Sequence, residues 1–281
     1  MFSPGVMTPS HSMTRVFGGR TVVLTGGASG IGRALARLLV GAGATVHVLD
    51  VNADALAAMV REHSGPGVIH PFILDVRDRD AYASVIEEIL RLSKSIDFLF
   101  NNAGVTLLGE AQTIPFERWK WLLDVNLMGV IHGTHLVYPL MIAQGSGHII
   151  NTASVAGATG YATAAAYAAS KAAILEFSRS LRAEAKGYGV RVSVACPGYV
   201  NSGIFTQDCI IGADIEAMTR DLLVKMMTPE EAASHLLKGV VGRKNTIVFP
   251  FSARFLWWLA KWAPTLLIPL HRRLLRVFQR Q

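Results

Sequence analysis

Three side chains that can move a proton or hold a reacting oxygen occur at short, regular spacings in this sequence. Tyr167 and Lys171 are one helical turn apart, so they lie on the same face of a predicted helix. A phenol with an ordinary pKa of about 10 is a poor base, and a neighbouring ammonium favours the phenolate and lowers that pKa. Ser154 follows a predicted strand and lies thirteen residues before Tyr167. The set suits acid–base chemistry at an alcohol or carbonyl; the alternative for Tyr167 is an ordinary helix aromatic. Ser178 and Ser180 are interpreted as helix-surface serines.

A glycine-rich segment, Thr25–Gly32, follows the first predicted strand and opens a predicted helix. Glycines let the backbone turn tightly and approach a pyrophosphate at a helix N-terminus, where free N–H groups favour an anion. Asp50 ends the second predicted strand, where a carboxylate can bind a ribose 2′-OH and would repel a 2′-phosphate. We therefore expect NAD rather than NADP, with Arg33 as the residue placed to meet a phosphate instead. The alternative for Asp50 is a strand-end cap of the next turn.

Strand-like and helix-like segments alternate from Arg20 onward and must position these residues. The predicted strands are Arg20–Gly26, Thr45–Asp50, Val68–Val76, Asp97–Phe100, His148–Thr152, Arg191–Cys196 and Thr246–Phe249. The predicted helices are Ile31–Val40, Ala53–His63, Asp78–Leu92, Pro115–Ala143 and Ala165–Gly187. Short apolar runs separated by helices are typical of a parallel sheet buried on both faces. The predicted fold class is α/β: one Rossmann-type, doubly wound domain over residues 18–250, after a flexible leader at 1–17 that lacks a signal-peptide core.

With these elements in place, the sequence resembles the short-chain dehydrogenase/reductase family. The matching motifs, in order, are Thr25–Gly32 (TGxxxGxG), Asn101–Gly104 (NNAG), the helix asparagine Asn126, Ser154, Tyr167–Lys171 (YxxxK) and Pro197–Gly198. Each motif alone is weak. Six of them, in order and at the usual spacings over residues 20 to about 250, are specific.

The resemblance implies a role for each matching residue. The implied catalytic residues are Asn126, Ser154, Tyr167 and Lys171. Tyr167 would be the acid/base, and Ser154 would bind the carbonyl oxygen. Lys171 would also hold the nicotinamide ribose, and Asn126 would anchor a proton-relaying water. The expected cofactor-binding residues are Gly26, Ser29, Gly30, Ile31, Gly32, Asp50, Asp75, Val76, Asn102, Ala103, Gly104, Tyr167, Lys171, Pro197, Gly198, Val200 and Ser202. Asp75 would contact adenine, with a helix cap as its alternative role.

The segment after the sixth strand, about residues 200–227, is predicted to cover the substrate. Its apolar residues are Ile204, Phe205, Ile210, Ile211, Met218, Leu222, Leu223, Met226 and Met227. Methionines pack adaptably against irregular ligands, so we expect a hydrophobic substrate of steroid, terpenoid, retinoid-like or long-chain type. The alternative is that these side chains only close the core.

Charge and composition restrict the compartment and the partners. The chain has 281 residues, with 27 Lys and Arg against 20 Asp and Glu. From Ala232 onward there are nine basic residues and no acidic one. Cys196 and Cys209 have no metal or disulfide spacing, and His132 and His135 lack a third ligand nearby. We therefore expect no metal and a reducing compartment, the cytoplasm.

The tail, residues 251–281, is predicted to be an apolar, basic, amphipathic helical segment. Its longest uncharged run, Trp262–Leu270, has nine residues and two prolines. A spanning helix needs about 20 apolar residues, so this run does not cross a bilayer as a regular helix. Tryptophan with basic residues favours peripheral contact with the cytoplasmic face of a membrane. Packing on a neighbouring subunit is the alternative. Nucleic acid is not expected, because bulky aliphatic residues have no role on a phosphate backbone.

These observations predict an oxidoreductase that transfers a hydride between NAD(H) and a hydrophobic alcohol, ketone or aldehyde. An NADP-dependent carbonyl or acyl-thioester reductase is the alternative within the enzyme class, and Asp50 argues against it. A non-catalytic membrane adaptor that senses NAD(H) is the alternative outside that class. The complete set of acid–base residues argues against the adaptor, because a sensor needs no proton donor. The family resemblance also implies a homodimer or homotetramer built on the two long helices.

Overall fold

The computed structural model describes residues 8–213 and 226–279. In this part of the chain, seven strands form one sheet in the order β3-β2-β1-β4-β5-β6-β7. They are β1 (Thr21–Thr25), β2 (Thr45–Asp50), β3 (Val68–Ile73), β4 (Phe98–Asn101), β5 (Gly147–Thr152), β6 (Val190–Pro197) and β7 (Thr246–Phe249). Every neighbouring pair is parallel. The predicted doubly wound parallel sheet is therefore confirmed.

Helices cover both faces of the sheet. They are α1 (His11–Phe17), α2 (Gly30–Gly41), α3 (Ala53–Arg61), α4 (Arg79–Ser93), α5 (Phe116–Leu123), α6 (Gly129–Gln144), α7 (Ala156–Thr159), α8 (Ala165–Ala185), α9 (Pro229–Val241), α10 (Phe251–Trp262) and α11 (Ile268–Gln279). Side chains alternate across a strand, so Val22 and Leu24 of β1 enter one apolar cluster and Val23 enters the opposite one. Burial on both faces explains why the middle of β1 is wholly apolar.

The N-terminal segment differs from its prediction. Residues 11–17 form α1, which begins at the cap Ser10 and buries Met13 and Phe17. The Phe17 ring packs against Phe98, with 4.9 Å between ring centroids. The prediction of a flexible leader is therefore wrong for this helix, while residues 1–7 lie outside the described residues. The four-residue spacing of the two apolar side chains is one helical turn, a signal too short to be read within a polar segment.

The long predicted helix over 115–143 contains a local widening. Residues Asp124–Met128 form a π-helical turn between α5 and α6, and the Gly129 N–H donates to the Asp124 carbonyl. In the described part of the chain, residues 116–144 are the one helical run long and apolar enough to cross a membrane. Val137 and Met141 of this run are buried in the same cluster as strand residues of the sheet.

The tail folds back on its own domain. Residues Pro264–Leu267 form a 3-10 turn between α10 and α11. Ala253, Leu267 and Phe278 are each less than 5 % exposed. The predicted helical character of the tail is thus observed, and its inner face is buried within the same chain.

Candidate active site

A cavity of about 850 Å³ opens at the carboxyl ends of the strands. Its floor includes the turn after β1 and the turn after β4, which are adjacent strands whose crossovers leave in opposite directions. This is the position where open parallel sheets bind ligands. All seventeen residues expected to bind the cofactor line this cavity, and so does Ser154.

The glycine-rich turn leaves room that side chains would fill. Gly26 has φ +62°, and a Cβ there would lie 2.7 Å from the Ala103 Cα. A Cβ on Gly32 would lie 1.9 Å from the Gly26 carbonyl oxygen. Ser29 precedes α2 and makes no side-chain cap, so the first N–H groups of the helix are free for another acceptor. A pyrophosphate fits this turn, because its oxygens accept from such groups.

Thr25 and Asn102 join the two turns that frame the cavity. The Thr25 hydroxyl accepts from the backbone N–H of Asn102 at 3.0 Å and of Ala103 at 3.1 Å. The Asn102 amide donates to the carbonyl oxygens of Thr25 and Gly26, both at 3.2 Å. Thr25 begins the glycine-rich motif, and its structural role could not be predicted from the motif alone. Its hydroxyl fixes the distance between the two turns.

Asp50 lines the cavity at the end of β2. Its carboxylate accepts from the Ala28 N–H at 2.9 Å and from the Asn52 N–H at 3.0 Å. These bonds aim the carboxylate into the cavity, where it remains able to accept from a ribose hydroxyl. Arg33 is ion-paired with Glu62, which also pairs with Arg37. The cation that sequence reasoning placed to meet a phosphate therefore already has an anionic partner.

Asp75 lines the cavity beside Val76 and is paired with Arg77. The Arg77 side chain hydrogen-bonds both carboxylate oxygens, and this lowers the pKa of Asp75. The helix that follows, α4, is capped by Asp78 rather than by Asp75. The alternative role of Asp75 as the cap of this helix is therefore wrong.

The three central side chains meet at the end of β5. The Ser154 hydroxyl is hydrogen-bonded to Tyr167 and accepts from the Ala156 N–H at 3.2 Å. Lys171 is 3 % exposed, and its Nζ donates to the Thr152 carbonyl at 3.0 Å. That Nζ lies 5.7 Å from the centroid of the Tyr167 ring. The expected spatial set of serine, tyrosine and lysine is present.

Burial dominates the protonation of this set. Desolvation raises the pKa of Tyr167, and the hydrogen bond from Ser154 acts in the opposite direction. Desolvation also lowers the pKa of Lys171 to about 8. We expected the ammonium to lower the pKa of the phenol. The contact that lowers it is instead the one with Ser154, and burial makes the net shift upward. A bound cationic nicotinamide would add the positive charge that favours the phenolate.

Asn126 lies in the π-helical turn and is fully buried. Its Oδ1 accepts from the Val105 N–H at 2.8 Å, and its Nδ2 donates to the Val105 carbonyl at 2.9 Å. Nδ2 also donates to the Ser170 hydroxyl at 3.1 Å. A Cβ built on Gly104 would lie 3.2 Å from both the Asn126 Oδ1 and the Lys171 Nζ. Asn126 thus fixes the loop after β4 against α8, next to the lysine; its relay role stays a prediction.

The substrate end of the cavity includes residues that sequence reasoning missed. Tyr161 and Tyr199 line it and hydrogen-bond each other, with 6.1 Å between ring centroids. His271 of α11 packs 6.1 Å from Tyr161 and hydrogen-bonds the backbone of Gly160. The tail residues that line the cavity are Leu256, Leu270, Arg273, Leu274, Val277 and Phe278. No local motif marks them, because their role depends on how the tail folds back.

The structure describes only part of the segment predicted to cover the substrate, about residues 200–227. Ile204, Phe205 and Ile210 line the cavity, as expected for a cover. The N–H of Ile211 donates to the Leu108 carbonyl at 2.8 Å, which ties this segment to the loop after β4. Met218, Leu222 and Leu223 lie outside the described residues.

No metal centre is assembled by the residues described. Within 8–213 and 226–279, no group of three or more His, Cys, Asp or Glu side chains could hold an ion. His132 Nδ1 instead contacts the Val76 carbonyl oxygen at 3.0 Å.

The arrangement defines a dinucleotide-dependent oxidoreductase. The glycine-rich turn offers N–H groups that suit a pyrophosphate, and Asp50 offers a carboxylate that suits a ribose. In the same cavity, the hydroxyls of Ser154 and Tyr167 lie beside the buried Lys171. Those hydroxyls can exchange a proton with an alcohol or a carbonyl.

Comparisons with known proteins identify the family. The profile described as "short chain dehydrogenase" matches residues 20–208. The chain is 36 % identical over 220 residues to the 3-oxoacyl-[acyl-carrier-protein] reductase of Thermotoga maritima. The aligned region covers 78 % of this chain and 89 % of that protein. It is 35 % identical over 192 residues to the 2-dehydro-3-deoxy-L-rhamnonate dehydrogenase (NAD(+)) of a Sphingomonas species, covering 68 % and 76 %. The chain therefore belongs to the short-chain dehydrogenase family.

A solved structure shows the same fold. The short-chain dehydrogenase/reductase from Burkholderia phymatum, in complex with NAD, matches with a TM-score of 0.73 and 28 % identity over 83 % of this chain and 89 % of that one. The protein is thus an oxidoreductase acting on CH–OH or carbonyl groups, in a family that uses NAD or NADP.

Proposed function

We propose that this protein transfers a hydride between NAD(H) and a hydrophobic alcohol, ketone or aldehyde. The observation that carries the proposal is the hydrogen-bonded pair of Ser154 and Tyr167. The pair lies where the dinucleotide half of the cavity meets a half lined by apolar side chains. A substrate oxygen bound there would face both hydroxyls.

The chain's own residues handle the proton. The bound cofactor supplies or accepts the hydride. In reduction, the Tyr167 hydroxyl donates its proton to the substrate oxygen, and in oxidation the phenolate removes it. Ser154 donates a hydrogen bond that orients that oxygen. The Lys171 ammonium favours the phenolate and would hold the nicotinamide ribose, while Asn126 keeps the neighbouring loop in place.

We propose NAD as the preferred cofactor. The Asp50 carboxylate is aimed into the cavity by two backbone N–H groups and would repel a 2′-phosphate. Arg33, the cation that the sequence places to meet such a phosphate, is paired with Glu62. Both observations favour a 2′-hydroxyl at this position.

We propose a hydrophobic substrate because of the far half of the cavity. Its wall includes Trp121, Phe205 and Leu274, with further apolar side chains from the tail. Burying such a surface against an apolar molecule contributes about 25 cal/mol per Å². The polar groups near Tyr167 would then fix only the reacting end of the substrate.

We also propose a homo-oligomer in the cytoplasm. The segments 116–144 and 165–185 supply the expected contact surfaces, and Phe116 and Met128 of the first are exposed. Light scattering on the purified protein measures this state directly.

The test is NADH formation from hydrophobic primary and secondary alcohols, run in parallel with NADP. We expect turnover with NAD, and Tyr167→Phe to lower kcat by at least about a hundredfold, since general acid–base catalysis contributes about 10²–10⁴. NAD binding, followed by fluorescence titration, should be retained in this variant. Intact turnover in Tyr167→Phe would refute the mechanism.

An NADP-dependent reductase of acyl thioesters is the second candidate, favoured by the similarity to the Thermotoga reductase. The same assay separates the two. Faster oxidation of NADPH with a 3-oxoacyl thioester than of NADH with a simple ketone would select this alternative. Cofactor binding without turnover of any substrate would instead support a non-catalytic sensor.

A further inference from the structure

The outer face of α10 carries a continuous stripe of large apolar side chains. Phe251, Phe255, Trp258 and Trp262 follow one another at intervals of four, three and four residues, which places them on one face of the helix. Their exposed fractions are 80 %, 55 %, 55 % and 67 %. Leu266 and Ile268 continue the exposed apolar surface past the end of the helix. We call residues 251–268 with this outward surface the apolar ridge.

The apolar ridge belongs to a segment that is firmly packed on its other side. Ala253 is 3 % exposed, and the half-buried Trp257 packs on the cluster that contains Val194 and Cys196. The Arg254 side chain donates to the Val248 carbonyl at 2.9 Å. The exposure of the ridge is therefore the result of a fixed helix orientation, with the aromatic side chains directed away from the domain.

The charged side chains on α10 and α11 have one sign. Arg254, Lys261, Arg272, Arg273 and Arg276 lie on α10 and α11, which contain no acidic residue. Within the described residues, none of these five takes part in an ion pair. Aromatic side chains flanked by unpaired cations match the interface of an anionic bilayer, where the rings enter the headgroup boundary and the cations meet phosphate.

The tail that carries the apolar ridge, residues 251–279, also forms part of the wall of the cavity. Leu256 projects into the cavity from α10, and Leu270, Leu274 and Val277 do so from α11. The His271 contact with Gly160 and Tyr161 holds α11 against the active-site loop. One short segment thus presents an apolar surface outward and an apolar lining inward.

We propose that the apolar ridge rests on an anionic lipid surface and that a lipid-soluble substrate enters the cavity from that surface beside α11. The nature of the substrate rests on the proposed function, whereas the lipid contact does not. The partner is the bilayer itself, and the segment that binds it is also the cover of the reaction chamber.

The first experiment measures binding of the full chain to vesicles by flotation. One set contains equal parts phosphatidylcholine and phosphatidylglycerol, and the other contains phosphatidylcholine alone. We expect binding to the anionic vesicles that weakens with salt. The double variant Trp258→Gln/Trp262→Gln should bind at least about tenfold more weakly. Leu92→Gln removes an apolar side chain that is 51 % exposed on α4, outside the ridge and the expected subunit contacts, and should bind like the parent protein.

A charge series tests the cationic contribution. Arg272→Gln/Arg276→Gln should weaken binding to the anionic vesicles, and Lys186→Gln, an exposed lysine elsewhere, should not. If the parent protein binds neither kind of vesicle, the proposal is overturned. Light scattering covers the other outcome. If the oligomer dissociates in the double tryptophan variant and the protein does not bind vesicles, the ridge is an interface between copies, and the proposal is again overturned.

A second experiment tests substrate entry. kcat/KM is measured for a long-chain alcohol dissolved in anionic vesicles and for a short, water-soluble alcohol. Trp258→Gln/Trp262→Gln should lower the first by about tenfold and leave the second unchanged, because neither tryptophan lines the cavity. If the ratio of kcat/KM in the variant to kcat/KM in the parent protein is the same for both alcohols, entry from the bilayer is refuted. Failure of the proposed function is distinguishable, since it abolishes turnover of both alcohols while vesicle binding persists.

Discussion

Lys171 is a charged side chain held where charge is costly. Its folded pKa is about 8, below the ordinary value of 10.5, because the ammonium is desolvated. Below pH 8 both the folded and the unfolded chain carry the proton, and the buried charge lowers the free energy of unfolding by about 3 kcal/mol. Above pH 8 the folded state releases the proton first. The cost therefore shrinks as the pH rises and vanishes above 10.5.

We therefore predict that Lys171→Met gains stability mainly at lower pH. In urea denaturation of the cofactor-free protein, the gain relative to the parent should be larger at about pH 7 than at about pH 10 by up to about 3 kcal/mol. Turnover should be lost at both. Lys186→Met, at an exposed position, should show no such dependence; an equal stability change for Lys171→Met at the two pH values would contradict the argument.

At the residue scale, motif spacing was enough to place the whole cofactor set on one cavity. It was not enough to assign Tyr167 its pKa direction, because desolvation is a property of the surrounding packing. It also misassigned Ser178, which is fully buried rather than on the helix surface. A serine between apolar helix residues looks the same in sequence whether its hydroxyl meets water or a buried amide.

At the element scale, α8 is joined to the sheet by a buried polar network. Ser178 accepts from the Asn151 Nδ2 at 3.0 Å and donates to the Ile174 carbonyl at 2.7 Å. Asn151 in turn accepts from the Asn101 Nδ2 at 2.9 Å. The network therefore connects β4, β5 and the helix that carries Tyr167 and Lys171. Buried hydrogen bonds of this kind favour one arrangement of these elements.

Ser178→Ala should lower the free energy of unfolding by about 1–3 kcal/mol, since it leaves a buried amide N–H of Asn151 without its acceptor. Ser180→Ala, at an exposed position two residues along the same helix, should change it by less than about 0.5 kcal/mol. Chemical denaturation of both variants provides the comparison. Similar stabilities would show that the network does not hold α8.

The strand and helix positions followed from hydrophobic pattern because both faces of the sheet are buried. The π-helical turn at Asn126 did not, since one extra residue in a helical turn barely changes that pattern. Its cause is visible only in three dimensions, where the Asn126 amide reaches the Val105 backbone and Ser170. Such widened turns are often found at functional sites.

At the scale of the whole molecule, α1 closes one face of the domain. It packs against α2 and α9, which are the first and the last crossover helices beside the sheet. Phe17 is fully buried there. The sequence could not show this, because the groove that receives Phe17 is assembled from segments distant in the chain.

Phe17→Ala should therefore destabilise the protein by roughly 3–5 kcal/mol, the usual cost of an aromatic cavity. Leu92→Ala, at a position on α4 that is 51 % exposed, should cost less than about 1 kcal/mol. Thermal and urea unfolding measure both. A Phe17→Ala protein as stable as the parent would mean that α1 is detached in solution.

The two halves of the cavity come from different stretches of the chain. Much of the dinucleotide side lies between Gly26 and Gly104, whereas Leu270, Leu274 and Val277 of α11 lie beyond the stretch that matches the family profile. Mutations in α11 can therefore accumulate without disturbing the groups that handle the hydride or the proton. Divergence within this lineage can alter which molecules are accepted while the reaction stays the same, and an engineer could exchange α11 for the same purpose.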